Sequence, residues 1–208
     1  ASKFKKQPPQ VKVKYFDMGF PGEKGKAVTK GFFMASGELI GFVDADLSTS
    51  AEAFYDLVVN IKNSDGIIAS RWKSGARINV KQPLSRRFLG RGFNFLVRIV
   101  LGLNYSDSQC GCKLFKKDAI KSVRDKLQIT KWAFDINLLY LMKKNNLNVK
   151  EIPTEWQESG KSHLNIKKAT LEMFLAIIRL RLIYSPFKSI IKFYDWMPEK
   201  LKIHHRIK

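Results

Sequence analysis

The run Leu39–Val43 is continuously apolar and stops abruptly at Asp44-Ala45-Asp46. Five apolar residues without alternation read as a strand buried on both faces. The two carboxylates therefore fall at that strand's carboxyl end. On either side the pattern alternates. Lys24–Ser36 reads as a helix ended by Gly37. Ser48, Thr49 or Ser50 can cap a second helix over Ala51–Lys62, with Phe54, Leu57, Val58 and Ile61 on one face. Gly66–Ala69 is another short buried strand. Val11–Phe16, where apolar residues alternate with Lys12 and Lys14, predicts a strand before a turn at Pro21-Gly22. Strands and helices in this order predict an α/β fold with parallel strands.

The second half continues in kind. Arg71–Leu84 reads as a basic loop, with Gly75 and Pro83. Phe88–Leu103 predicts a helix with Leu89, Phe93, Leu96, Val100 and Leu103 on its apolar face. Lys113–Phe115 is a short strand, Ala133–Lys144 a helix, Asn145–Asn148 a turn, and Val149–Ile152 a strand stopped by Pro153. Ile166–Tyr184 is helical, apolar at Leu171, Phe174, Ile178 and Leu182 and basic at Lys167, Lys168, Arg179 and Arg181. With 45% hydrophobic residues over 208 positions, the chain has material for a real core.

Charge narrows the partner. The 38 Lys+Arg against 18 Asp+Glu leave a formal +20. That balance asks for an anion: nucleic acid, acidic lipid or a phosphorylated small molecule. Cys110 and Cys112 make no disulfide framework, and His163, His204 and His205 lie too far off to complete a zinc site with them. Small apolar packing beside Gly111 is the favoured reading of the two thiols. Ala1–Gln10 is Lys-rich without the apolar core of a secretory leader.

Asp44 and Asp46 carry the sharpest chemical signal. Open α/β sheets take ligands beyond the carboxyl ends of their strands. Hard divalent cations prefer carboxylate oxygens and share their shell with substrate phosphates. The competing reading is two surface acids in a β–α turn.

The surroundings of the pair resemble a known family. Lys24-Gly25-Lys26-Ala27-Val28-Thr29-Lys30-Gly31, Gly37-Glu38 and Phe42–Thr49 resemble the family 2 glycosyltransferases of the GT-A fold, and within them the polyprenyl-phosphate hexose synthases. Asp107-Ser108-Gln109-Cys110-Gly111-Cys112-Lys113-Leu114-Phe115 is similar to a block of the dolichyl-phosphate β-glucosyltransferases. Trp132–Asp135, Pro153–Trp156 and Gly160-Lys161-Ser162 fit later blocks. The resemblance implies a Rossmann-like mixed sheet flanked by helices over residues 1–165. It makes residues 166–208 basic amphipathic helices at a membrane interface.

It also implies roles. Asp44 and Asp46 engage the nucleotide-sugar and its Mg²⁺ or Mn²⁺, with Asp46 the more direct ligand. Lys24 and Arg71 lie near the donor phosphates. Arg86, Arg87 and Arg91 match arginines that hold the lipid phosphate, for which a planar charged fork is suited. Gln109, Gly111 and Lys113 stand near the site. Asp135 positions acceptor or metal, or serves as base were the acceptor a sugar hydroxyl. The implied reaction moves a hexose with inversion to a polyprenyl (dolichyl) phosphate at the cytoplasmic face of the plasma membrane or endoplasmic reticulum. The donor is UDP-glucose ahead of GDP-mannose, and the chain associates peripherally with an anionic membrane surface.

Two departures qualify the expectation. Asn137 stands where relatives carry Glu. The family's first strands, which form much of the nucleotide-base pocket, have no counterpart before Val11, so weak or absent activity is expected of these 208 residues alone. Two other readings are a noncatalytic fragment or partner subunit and a basic nucleic-acid-binding protein. No RNP, zinc-finger or homeodomain motif supports the latter, so no nucleic-acid partner is expected.

Overall fold

A computed structural model describes residues 12–19, 24–79, 84–128, 133–157 and 166–190, with backbone alone at 84–86 and 166–173. The turn Pro21-Gly22, Trp132, Gly160-Lys161-Ser162, His163, the side chain of Arg86 and the tail 191–208 lie outside the described residues.

Helix α1 (Lys24–Met34) leads to strand β1 (Leu39–Val43). Helix α2 (Ala51–Asn60) follows, capped by the Ser50 hydroxyl, which accepts from the Ala53 amide at 3.1 Å. Then come β2 (Gly66–Ser70), β3 (Arg77–Ile78), α3 (Leu84–Leu101), β4 (Cys112–Lys116) and α4 (Lys117–Val123). Helix α5 (Phe134–Lys144), β5 (Val149–Pro153), β6 (Glu155–Trp156) and α6 (Ile166–Ile183) complete the order.

The main sheet runs β1-β4-β2-β5. β2 and β5 are parallel, but β4 lies antiparallel between β1 and β2. The mixed sheet that the family resemblance implies is thus found, and the parallel sheet read from the order of strands and helices alone is corrected. β1, β2 and β5 point one way because β4 reverses both of its neighbours. β3 and β6 pair in parallel as a separate two-stranded sheet.

The strand expected over Val11–Phe16 is not found: residues 12–16 pair with no described strand, and Val13, Tyr15 and Phe16 are exposed. Alternation alone does not make a strand where no sheet edge accepts its amides. β1 is also less buried than its composition implies. It is an edge of the described sheet, and only Ile40 of its five residues is fully buried.

Two apolar cores fill the two faces of the sheet. α2 covers one, with Leu57 and Ile61 against Ile67, Ala69, Cys112 and Leu114. On the other face Ile68 and Phe115 meet Phe32 of α1, Val97 of α3, Ile120 of α4 and Leu138 of α5. α6 joins this core through Ile177 and Leu180, both fully buried. α3 turns most of its expected face inward: Phe93 is buried and Leu96 and Val100 pack half-buried against the core, joined by the buried Val97 and Leu101, while Leu89 is exposed. The helix stops before Gly102, whose φ of 64° ends it in the left-handed region. Leu103 enters the core from beyond that end.

Candidate functional site

The site lies where β1, β2 and β5 end and β4 begins. Val43 pairs with Cys112, and one step beyond, the Asp44 amide donates to the Gly111 carbonyl at 2.8 Å. β2 parts from β4 after Ile68 pairs with Lys113. The last turn of sheet pairing therefore opens a crevice at the carboxyl edge, where α/β folds hold ligands.

Lys24, Asp44, Asp135 and Lys113 are brought together there from four separate elements. The Lys24 ammonium lies 2.8 Å from Asp44 Oδ1 and 2.8 Å from Asp135 Oδ2. The other oxygen of Asp135 lies 2.8 Å from the Lys113 ammonium. Lys113 also donates to the Cys110 carbonyl. Both ammonium groups sit over the Phe42 ring, at 5.3 Å for Lys24 and 5.7 Å for Lys113.

Lys113 is fully buried. Its burial follows from strand alternation, since it faces the same side of β4 as Phe115 and meets α5 there. A buried ammonium is tolerable only when paired and hydrogen-bonded. Burial works against the Asp135 carboxylate, but Lys113 and then Lys24 outweigh it and hold its pKa below the usual carboxylate range. Burial likewise opposes the charge on Lys24, and the carboxylates of Asp135 and Asp44 outweigh it, raising its pKa.

Asp46 is exposed, and its Oδ1 accepts the Ser48 amide at 2.9 Å. Leu47 between them takes a φ of 59°, a conformation that costs a side-chain-bearing residue about 1–2 kcal/mol. The strained turn is stitched down by a bridge from Thr49 to Trp156 and by the Gln157 amide donating to the Ser48 carbonyl at 3.0 Å. Gly111 is needed opposite. A Cβ built on it would collide with the Asp44 carboxylate, which occupies that space.

Arg71, which starts where β2 ends, is committed to Asp107. Its Nε and Nη2 donate to the two carboxylate oxygens at 2.6 and 2.9 Å, and its amide donates to Oδ2 at 3.1 Å. The guanidinium also stacks on Trp156 at 5.5 Å. Burial opposes its charge, but Asp107 outweighs that and raises its pKa; Arg71 in turn keeps Asp107 ionised. Arg87 and Arg91, one turn apart on α3, both lie over the Trp72 ring, at 5.7 and 5.2 Å. Gln109, two residues after Asp107, is half-buried.

Several supporting residues escaped the sequence reading. Glu151 of β5 accepts the amides of Ser106 and Asp107 at 3.0 and 2.7 Å. Asn94 on α3 donates to the carbonyls of Tyr105 and Ser106 and accepts from the Ser108 hydroxyl at 3.0 Å. A polar residue beside the buried Phe93 was the available signal for Asn94. For Glu151, nothing in its own segment marks the role.

Among the described residues no cluster of three or more His, Cys, Asp or Glu could hold a metal. Asp44 and Asp46 could supply two carboxylates to one. Mg²⁺ is commonly bound in this way, by one or two carboxylates with substrate phosphates and water completing the shell.

Residues 1–124 match the family described as Glycosyl transferase family 2. The chain is 32% identical over 168 residues to a dolichyl-phosphate beta-glucosyltransferase of Trichomonas vaginalis, covering 77% of this chain and 49% of that protein. It is 31% identical to the Homo sapiens protein of the same name, over 77% of this chain and 52% of that one. The chain thus spans about half the length of the curated relatives it matches. Glucosyl-3-phosphoglycerate synthase from Mycobacterium tuberculosis, solved with Mn²⁺ and UDP-glucose, shares the fold with a TM-score of 0.56 at 17% identity, over 83% of this chain and 56% of that one.

Proposed function

The chain belongs to glycosyltransferase family 2, and from that premise we propose that it moves a hexose from a nucleotide diphosphate to a polyprenyl phosphate with inversion. The observation that carries the acceptor class is the state of Asp135. A carboxylate ion-paired to the buried Lys113, with its pKa held down, is a poor general base. A phosphate monoester with a second pKa near ~6 is already anionic at neutral pH and needs none. One of its oxygens attacks the anomeric carbon from the face opposite the diphosphate. The bond from that carbon to the diphosphate oxygen breaks, and the nucleoside diphosphate leaves with the electron pair.

The relatives named dolichyl-phosphate beta-glucosyltransferase favour glucose and a dolichyl acceptor. The Mn²⁺ and UDP-glucose bound by the structural neighbour favour a UDP-sugar and a divalent metal. Asp44 and Asp46 are the residues to hold Mg²⁺ or Mn²⁺, which supplies Lewis-acid neutralisation of the leaving diphosphate. Lys24 and Arg71 place positive charge beside that diphosphate. Arg87 and Arg91, on the Trp72 platform, take the acceptor phosphate together with Arg86.

The acceptor's lipid tail needs a membrane, and no described helix is long and apolar enough to cross one. α3 and α6 instead expose Phe88, Phe95, Ile99, Phe174 and Ile178 beside basic residues, a pattern suited to peripheral binding at an anionic cytoplasmic leaflet. The test is transfer of radiolabelled sugar from UDP-glucose or GDP-mannose to a lipid phosphate. Label from UDP-glucose in the lipid fraction, lost in Asp46→Ala, is expected. Transfer to a sugar hydroxyl but not to lipid phosphate sinks the proposal.

A further inference from the structure

Lys24 occupies the position a metal ion would contest. Its ammonium shares one carboxylate with the cation site, Asp44, and bridges to Asp135 at the same 2.8 Å distance. Lys24 is the first described residue of α1, and the carboxylates of Asp44 and Asp135 hold its ammonium in place.

Resting on the metal-assisted reading above, we propose that Lys24 is a built-in counterion that neutralises the cation site and is released when a divalent cation takes Asp44. A divalent ion and an ammonium cannot share one carboxylate without strong repulsion. The geometry makes release cheap on one side only. Asp135 keeps Lys113 at 2.8 Å on its other oxygen, so losing Lys24 does not strand a bare buried charge. Among the described residues Asp44 has no second cation within ion-pair reach, and it passes from Lys24 to the metal. Lys24 is one-third exposed, so its ammonium can swing outward along the Phe42 ring. Once freed, it meets the anionic phosphates that accompany the metal. Cation uptake and the creation of a phosphate contact are then a single event. With no metal bound Lys24 offsets the charge of Asp44, and the site binds metal weakly without its substrate.

The test is Mn²⁺ binding to the full chain without nucleotide, read from the free-Mn²⁺ resonance in an electron paramagnetic titration. Lys24→Met is expected to bind Mn²⁺ at least tenfold more tightly than the unaltered chain. Lys30→Met, a charge-matched change at an exposed position of the same helix, is expected to leave the affinity within about twofold. Adding Asp46→Asn to Lys24→Met should return binding to the weak level. Equal affinity in Lys24→Met and the unaltered chain, with binding still lost on Asp46→Asn, overturns the counterion role and leaves the metal site standing. No Asp46-dependent Mn²⁺ binding in either chain overturns both.

Discussion

The Asp44 amide donates to the Gly111 carbonyl at 2.8 Å, and the Asp44 carboxylate lies over the Gly111 Cα in the space a Cβ would fill. One glycine thus fixes both the backbone and the side chain of the first acid in the Asp44-Ala45-Asp46 turn. Gly111→Ala is expected to push the Asp44 carboxylate off Lys24 and out of register with Asp46. Mn²⁺ affinity should fall by at least about tenfold, which is about 1.4 kcal/mol, while the far-ultraviolet dichroism stays that of the unaltered chain. Unchanged affinity would show that Asp44 is not a ligand.

Lys113 gives Asp135 a structural task beside its place in the site. Asp135→Asn leaves the fully buried Lys113 ammonium without its anion, a loss of about 3–5 kcal/mol for a broken buried pair. Urea unfolding at pH 7 measures it. The pH dependence has a fixed sign. The pKa of Asp135 is depressed, so its contribution is whole above the unfolded carboxylate value of about 4 and is lost as pH falls through the folded value. The pKa of Lys24 is raised, so its contribution is whole below about 10.4 and is lost as pH rises through the folded value. The unaltered chain should lose stability on acidification below about pH 4, and Asp135→Asn should lose less over the same interval.

Cys110 and Cys112 are inert by environment. Burial pushes both thiols up to about 12, helped by Asp107 at Cys110 and by Cys110 at Cys112. A disulfide reagent at pH 8 should therefore find no fast-reacting thiol in the folded chain and two in denaturant. Rapid modification of the native protein would contradict the packing role.

What the sequence discloses is what is local. The strand Leu39–Val43 ending in acids, the cap of α2 among Ser48, Thr49 and Ser50, and the Asn145–Asn148 turn each lie within a few neighbouring residues; the strand and turn are found, and Ser50 proves to be the cap. The antiparallel insertion of β4 is not local, because both of its partners lie far upstream in the chain. Nor are the ion pairs. Lys113 is intelligible only through Asp135, 22 residues on, and Arg71 only through Asp107, 36 residues on. A lysine in a strand otherwise reads as an outward-facing residue. The periodicity of α3 gives its core-facing stripe through Phe93, Leu96 and Val100, but not where that stripe leaves the core, so Leu89 reads as buried and is exposed.

Trp72 offers a reporter for the acceptor phosphate. It follows Arg71, whose guanidinium is engaged by Asp107, and it carries Arg87 and Arg91 over its ring at 5.7 and 5.2 Å. Stacking leaves the edges of a guanidinium able to donate to an anion in the ring plane. A phosphate drawn between the two arginines changes the field at the indole. Farnesyl phosphate, a short soluble polyprenyl phosphate, should therefore shift the tryptophan emission of the unaltered chain, and Trp72→Phe should remove the shift. Arg91→Gln should weaken binding by about tenfold or more, the worth of one charge-assisted hydrogen bond at about 1.5–3 kcal/mol. Farnesol, which has the chain but no phosphate, should leave the emission unchanged. Equal responses to the alcohol and the phosphate would mean that the Trp72 platform reads the hydrocarbon, and that Arg87 and Arg91 do not hold the acceptor's charge.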